Sequence, residues 1–146
     1  MKYSRLQNKA DLADYIDLLI PAVQAMLAKG GGVHTNQSLI NVILATIETP
    51  NLYLLVGMEN GIFQGFIMGM FIYDEEPWIE LLGMWTIPGV AKERRFEVFE
   101  MLKEWGRING AKRVVATITR SPDAFFRFFH EPLGFTKAGY LLEAQI

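Results

Sequence analysis

The chain has 146 residues, of which 51% are hydrophobic and 21% charged, with a formal net charge of −2. It is long enough to bury a sizeable core as one domain, 1–146, and too apolar to be disordered. A mildly acidic balance, no cysteine and only two histidines, His34 and His130, point away from nucleic acid, a disulfide framework, a thiolate nucleophile and a metal site.

The start, Met1-Lys2-Tyr3-Ser4-Arg5, leads into polar residues rather than the apolar core of a signal peptide. The longest strongly apolar stretch, Gly65–Tyr73, falls far short of the roughly 20 residues a membrane-spanning helix needs. A soluble, cytoplasmic protein without a membrane partner is the expectation, and the apolar composition suggests a homodimer.

Lys2–Leu6 reads as a weak first strand. Over Asp11–Lys29 the apolar residues Leu12, Tyr15, Ile16, Leu19, Val23, Met26 and Leu27 recur at spacings of three and four, the mark of an amphipathic helix. Pro21 is expected to kink or divide it, and Gly30-Gly31-Gly32 to end it. Ser38–Glu48 repeats the helical pattern with Leu39, Val42, Ile43 and Ile47.

Leu52–Met58 and Ile62–Tyr73 read as strands joined at Asn60-Gly61, a hairpin signal because both central positions need positive φ. Trp78–Ile87 is the next strand, and Gly83 within it suggests a bulge or a close backbone approach. Glu80, Leu82, Met84 and Thr86 are expected on one face of it by the period of two. Glu93–Asn109 is a helix with Val98, Met101, Leu102, Trp105 and Ile108 inward, ended by Gly110. A buried strand over Arg113–Thr119, a short aromatic helix over Pro122–Glu131 behind the N-cap Ser121, and terminal strand structure over Phe135–Ala144 complete the chain. The order predicts an α/β protein with a mixed central sheet, helices on both faces, and a right-handed crossover between two parallel strands.

The closing run Phe125-Phe126-Arg127-Phe128-Phe129-His130-Glu131-Pro132-Leu133-Gly134-Phe135 resembles the end of the GNAT N-acetyltransferase fold, where a helix ending F-Y-x-x-x-G-F enters the final strands. The strand end Thr86-Ile87-Pro88 and the element order fit the same acyl-CoA N-acyltransferase fold. The resemblance implies acetyl-CoA as co-substrate and an amine acceptor that attacks the thioester directly. It places His130 where the family carries the phenol that protonates the departing thiolate. It makes Glu80 the candidate base, and it assigns Met84, Trp85 and Thr86 to the strand whose backbone holds the pantetheine arm. The turn Gly89-Val90-Ala91-Lys92-Glu93-Arg94-Arg95 stands where the family's V-x-P-x-x-R-G-x-G-x-G/A loop cradles pyrophosphate, but the closely spaced glycines are missing. Arg120 falls near the family's Asn after the following strand.

Each candidate also has a plainer structural reading. Lys92, Arg94 and Arg95 at a helix start oppose the helix dipole, which an anion there would offset; otherwise they are solvated side chains balanced by Glu93. His130 is a general acid or a helix-end residue on the last carbonyls. Glu80 is a base, its pKa raised if it is buried, or a strand-end carboxylate in solvent. Arg120 binds phosphate or pairs with Asp123. His34 borders the acceptor or is a surface residue, and the phenylalanines are core before they are a ligand box. The chain as a whole reads either as an N-acetyltransferase or as an inactive GNAT-fold binding or structural module, akin to virion-associated GNAT-like proteins of bacteriophages.

Overall fold

The computed structural model describes residues 1–28, 36–117, 136–138 and 141–146. The elements are β1 (Lys2–Arg5), α1 (Lys9–Ala28), α2 (Asn36–Thr46), β2 (Leu52–Glu59), β3 (Ile62–Ile72), β4 (Trp78–Thr86), α3 (Lys92–Ile108), β5 (Arg113–Thr117), β6 (Thr136–Ala138) and β7 (Leu141–Gln145).

Helix α1 begins two residues before the expected start, and its cap explains why. The Asp11 amide donates to Asn8 Oδ1 at 2.8 Å, while the Asp11 carboxylate accepts from the Gln7 amide at 3.0 Å. Two otherwise unpaired N–H groups are thereby satisfied reciprocally. Pro21 neither ends nor divides the helix, which runs unbroken through it. The carbonyl that loses its donor belongs to Asp17, four residues back. Pro21 and Asp17 both lie on the exposed side of the helix, where water can serve that carbonyl.

The sheet has the order β1-β2-β3-β4-β5-β7-β6. All neighbours are antiparallel except β4 and β5, which run parallel on either side of the α3 crossover. The β2–β3 hairpin turns at Asn60 and Gly61, with φ of 52° and 76°, as an Asn-Gly turn requires. The terminal strand structure resolves into two short strands, β6 and β7, paired with each other.

Two apolar layers cover the two faces. On one, Phe99 and Leu102 of α3 pack with Tyr53, Leu55, Ile67, Phe71 and Ile79. On the other, Leu12, Leu19, Val23 and Met26 of α1 and Leu39 and Ile43 of α2 pack with Leu54, Val56, Phe66, Met68 and Leu82. Alternation along β2 and β3 assigns successive residues to opposite layers, so hydrophobic burial on both sides fixes the register. The expected aromatic helix over Pro122–Glu131 lies outside the described residues.

Candidate functional site

The parallel β4–β5 ladder consists of two residue pairs, Ile79 with Val114 and Glu80 with Val115. Ala116 and Thr117 of β5 go on to pair with Leu142 and Leu141 of β7, but Leu81 and Leu82 of β4 do not pair with them. Among the described residues the two central strands therefore part at Leu81, and beyond that point β3 is the strand that pairs with β4. Among the described residues, the β5-facing edge of β4 has no strand partner from Leu81 onward.

A bulge sits at the same place. On β3, consecutive residues Met68 and Gly69 pair with Gly83 and Leu81, so Leu82 is the extra residue on β4. Bulges bend a strand and re-aim its side chains. Ile79 and Leu81 pack on the α3 side, Leu82 on the α1–α2 side. A Cβ at Gly83 would also point to the α1–α2 side, 2.8 Å from Met26 Sδ and Cε and 3.3 Å from Phe66 Cε2. Past the bulge, Met84 is on the α3 side and Trp85 on the α1–α2 side.

This parity change corrects the expectation that Glu80, Leu82, Met84 and Thr86 share a face. Glu80, paired with Met70, lies with Leu82 toward α1 and α2, whereas Met84 and Thr86 lie toward α3. Glu80 itself is half-buried.

From Thr86 the chain turns through Ile87–Ala91, anchored by the Ile87 amide on the Gln64 carbonyl at 2.9 Å, with Gly89 at φ 89°. Helix α3 starts at Lys92, one residue before the expected start. Its N-cap is Ala91, which supplies no side-chain acceptor. Of the first-turn amides, Arg94 reaches back to the Ala91 carbonyl at 3.0 Å. An alanine at this position leaves the helix start without the side-chain acceptor that Ser, Asp or Asn would provide.

The three cations of that turn do not converge. Lys92 is exposed. Arg94 lies 3.4 Å from a Glu97 carboxylate oxygen and 3.9 Å from one of Glu59, and the Tyr3 hydroxyl donates to Glu97 at 3.2 Å. Arg94, Glu59 and Glu97 are each 41–48% exposed, so solvent screens these pairs. Burial first, and then the Glu97 charge, raise the Tyr3 phenol above its usual pKa. Arg95 is half-buried and, with Arg94, Tyr3, Met84, Thr86 and Val98, lines a cavity of about 20 Å³. That volume is about what one water molecule occupies.

Behind this network, Arg5 lies over the rings of Tyr53 and Trp105 at 5.1 and 5.5 Å, and its guanidinium donates to the Leu52 carbonyl at 3.3 Å. Burial lowers the Arg5 pKa and raises that of Tyr53.

The structure thus brings Met84, Trp85, Thr86, Arg94 and Arg95 to the β4 end and the α3 start, with Glu80 before the bulge. His130, Arg120 and His34 lie outside the described residues. Among the described residues no three His, Asp or Glu side chains gather as a metal site, and no helix is long and apolar enough to cross a membrane. Sequence reasoning missed Glu59 and Glu97 as partners of Arg94. Glu97 was visible as a neighbour three residues along the helix, whereas Glu59 arrives through the hairpin. It also missed the Phe63–Trp85 ring pair, with centroids 6.4 Å apart and planes 16° from parallel.

No protein-family model and no curated protein matches this chain. Solved structures do match. The PaiA N-acetyltransferase of Thermoplasma acidophilum, in complex with coenzyme A, superposes with a TM-score of 0.71 at 15% identity, over 100% of each chain. A predicted acetyltransferase with acetyl-CoA from Clostridium acetobutylicum gives 0.72 at 13% identity, over 94% of this chain and 90% of that one. The apo aminoglycoside 6'-N-acetyltransferase AAC(6')-IG of Acinetobacter haemolyticus gives 0.69 at 12%, over 95% and 93%. At these identities the likeness is one of architecture, and it extends over nearly the whole chain: this protein has the GNAT N-acetyltransferase fold.

Proposed function

We propose that the protein is an acyl-CoA-dependent N-acetyltransferase. The observation that carries this reading is the parting of β4 from β5 after Glu80 among the described residues, next to the bulge at Leu82. A strand edge without a partner among the described residues suits the amide-bearing arm of coenzyme A, which can continue the ladder that β5 leaves. The α3 start, with no side-chain cap, suits the pyrophosphate, because its amides and dipole favour an anion. Arg95 stands beside that start, while Arg94 shares its charge with Glu59 and Glu97.

In this reading the acceptor amine attacks the thioester carbonyl, a C–N bond forms and the C–S bond breaks. β4 amides beside the bulge stabilise the oxyanion. Glu80, directly or through water, takes the proton of the ammonium, and His130 gives a proton to the thiolate. No covalent enzyme intermediate forms, so the lack of cysteine is no obstacle.

The test is calorimetric titration with coenzyme A, followed by turnover with acetyl-CoA. Wild type is expected to bind, and the Arg94→Ala/Arg95→Ala double variant to bind more weakly. His130→Phe should lower turnover on the order of 10²-fold, and His130→Tyr should largely keep it. A second reading, a non-catalytic GNAT-fold binding or structural module, draws support from the carboxylates that occupy Arg94. Absence of binding at millimolar coenzyme A would decide for it.

A further inference from the structure

Helix α3 buries Phe99 and Leu102 against the sheet, yet its apolar residues do not stop there. Phe96 and Ile108 are 47% and 74% exposed. Both border an open groove of about 700 Å³, lined among the described residues by α3 and β2 alone. Its apolar lining is Tyr53, Phe96, Met101, Trp105 and Ile108. Phe96 and Ile108 stand twelve residues apart, about 18 Å along the helix, which matches about three turns of a partner helix. An exposed strip of aromatic, methionine and aliphatic side chains edged by charge has the make-up of a protein interface.

The charged side chains in the lining are Glu97, Glu100 and Glu104, carboxylates all. A chain of rings leads on from Trp105 to Phe71, with centroids 6.1 Å apart, and from Phe71 to the exposed Tyr73, 4.9 Å apart. It ends at the exposed turn residues Asp74, Glu75 and Glu76. The cations nearby are already engaged. Arg5 lies over the Tyr53 and Trp105 rings. Arg94, Lys103 and Arg107 pair with Glu97, Glu100 and Glu104, each three residues away on the same helix. Pairs of this spacing at a helix surface are weak. An incoming cation can therefore take over a carboxylate while the helix's own cation turns to water. Arginine suits the place best, because its weakly hydrated guanidinium also stacks on aromatic rings.

The same charges oppose other occupants. Nucleic acid or an anionic membrane would meet like charge. A second copy laid antiparallel to match Phe96 with Ile108 would also set Glu100 against Glu104, and like charges across an interface are costly. We infer that the groove between α3 and β2 is a docking surface for an amphipathic, arginine- or lysine-bearing segment of another protein. Phe96 and Ile108 hold the apolar side of that segment, and Glu100 and Glu104 hold its cations. β3 separates β2 from β4 in the sheet, so the inference stands whether or not the protein transfers acyl groups.

The test uses the full chain and a fluorescein-labelled synthetic peptide of about 14 residues, with leucine at helical spacing on one face and arginine on the other. A twin peptide carries glutamate in place of arginine. In fluorescence anisotropy the arginine peptide should bind at least about tenfold more tightly than the twin. Phe96→Ser/Ile108→Ser and, separately, Glu100→Lys/Glu104→Lys should each weaken binding about tenfold, with circular dichroism showing the helices intact. Asp14→Lys/Asp17→Lys makes the same change of net charge on the exposed side of α1 and should leave binding within about twofold. The inference is overturned if the twin binds as well, if either groove variant binds like wild type, or if the α1 variant loses as much. A dimer in sedimentation that Ile108→Ser dissolves would give the groove to a second copy and overturn it too. So would phosphatidylglycerol vesicles that bind in competition with the peptide. Should Phe96→Ser/Ile108→Ser fail to fold, Ile108→Ser alone takes its place, since that side chain lies largely in solvent.

Discussion

The two faces of the β3–β4 pair differ in kind. Toward α3 the strands meet polar and charged groups as well as apolar ones. Tyr3, Glu97, Arg94 and Glu59 form a chain of contacts at the helix start, and Arg5 lies against Tyr53 and Trp105. Toward α1 and α2 the same strands meet methionine, leucine and aromatic side chains, with Glu80 the one charge they carry. A single extra residue at Leu82 sets which β4 side chains go to which face. The lesson is that a bulge at a strand splay does two jobs. It marks where β4 leaves β5 among the described residues, and it sets which β4 side chains face α3 and which face α1 and α2.

Two glycines in this strand pair test the difference most directly. Gly65 pairs with Thr86, and a Cβ there would fall 2.2 Å from the Trp85 carbonyl oxygen and 2.9 Å from Thr86 Cα. Both obstacles are backbone. They cannot move without separating β3 from β4 at the end of the candidate site. Gly65→Ala should therefore cost about 3 kcal/mol, the upper part of the overpacking range, measured by chemical denaturation. A cost under about 1 kcal/mol would mean that the strands part easily there and that the β4 end is not a fixed platform.

Gly83 presents the softer case. Its Cβ would meet the end of the Met26 side chain and, at 3.3 Å, a Phe66 ring carbon. Methionine is unbranched and can swing its methyl group aside. Gly83→Ala should cost only about 1 kcal/mol in the same experiment. The ordering of the two variants is the prediction: a larger loss at Gly83 than at Gly65 would make the α1–α2 face the rigid one and reverse the comparison.

Much of this was legible in the sequence because it is periodic. The β2–β3 hairpin followed from Asn60-Gly61, and the α3 face from Val98, Met101, Leu102 and Trp105, though not from Ile108, which is 74% exposed. The parallel pair followed from a helix placed between two apolar strands. Gly83 flagged the bulge. What it could not flag was that Leu82 is the inserted residue, because that depends on which β3 carbonyls and amides β4 adopts. A one-residue uncertainty reverses every face beyond it, which is why Met84 and Thr86 were assigned with Glu80. The α1 cap was missed because the apolar stripe begins at Leu12, whereas the cap is made by the polar pair Asn8 and Asp11. The Arg94–Glu59 contact joins a helix start to a hairpin 35 residues earlier in the sequence, and no local pattern encodes it.

The smallest expected effect concerns pH, and it belongs to the α3 face alone. Tyr53 is 6% exposed, and burial raises its phenol above the ordinary tyrosine pKa of about 10, with the nearby Arg5 charge a lesser influence in the other direction. The folded protein thus holds this proton to a higher pH than the unfolded chain does. Below pH 10 both states keep it, and its contribution to stability is fully present. Above pH 10 the unfolded chain releases the proton first and binds fewer protons than the folded one. Stability must then fall as pH rises through the folded pKa. The slope from one phenol cannot exceed about 1.4 kcal/mol per pH unit. Tyr53→Phe keeps the ring against Trp105 and removes the titration, so the variant should lose stability less steeply than wild type above pH 10. The two should run parallel at lower pH. Parallel curves up to pH 11 in urea denaturation would show that the Tyr53 hydroxyl reaches solvent in the folded protein, and would move the wet boundary of the α3 face inward past Trp105.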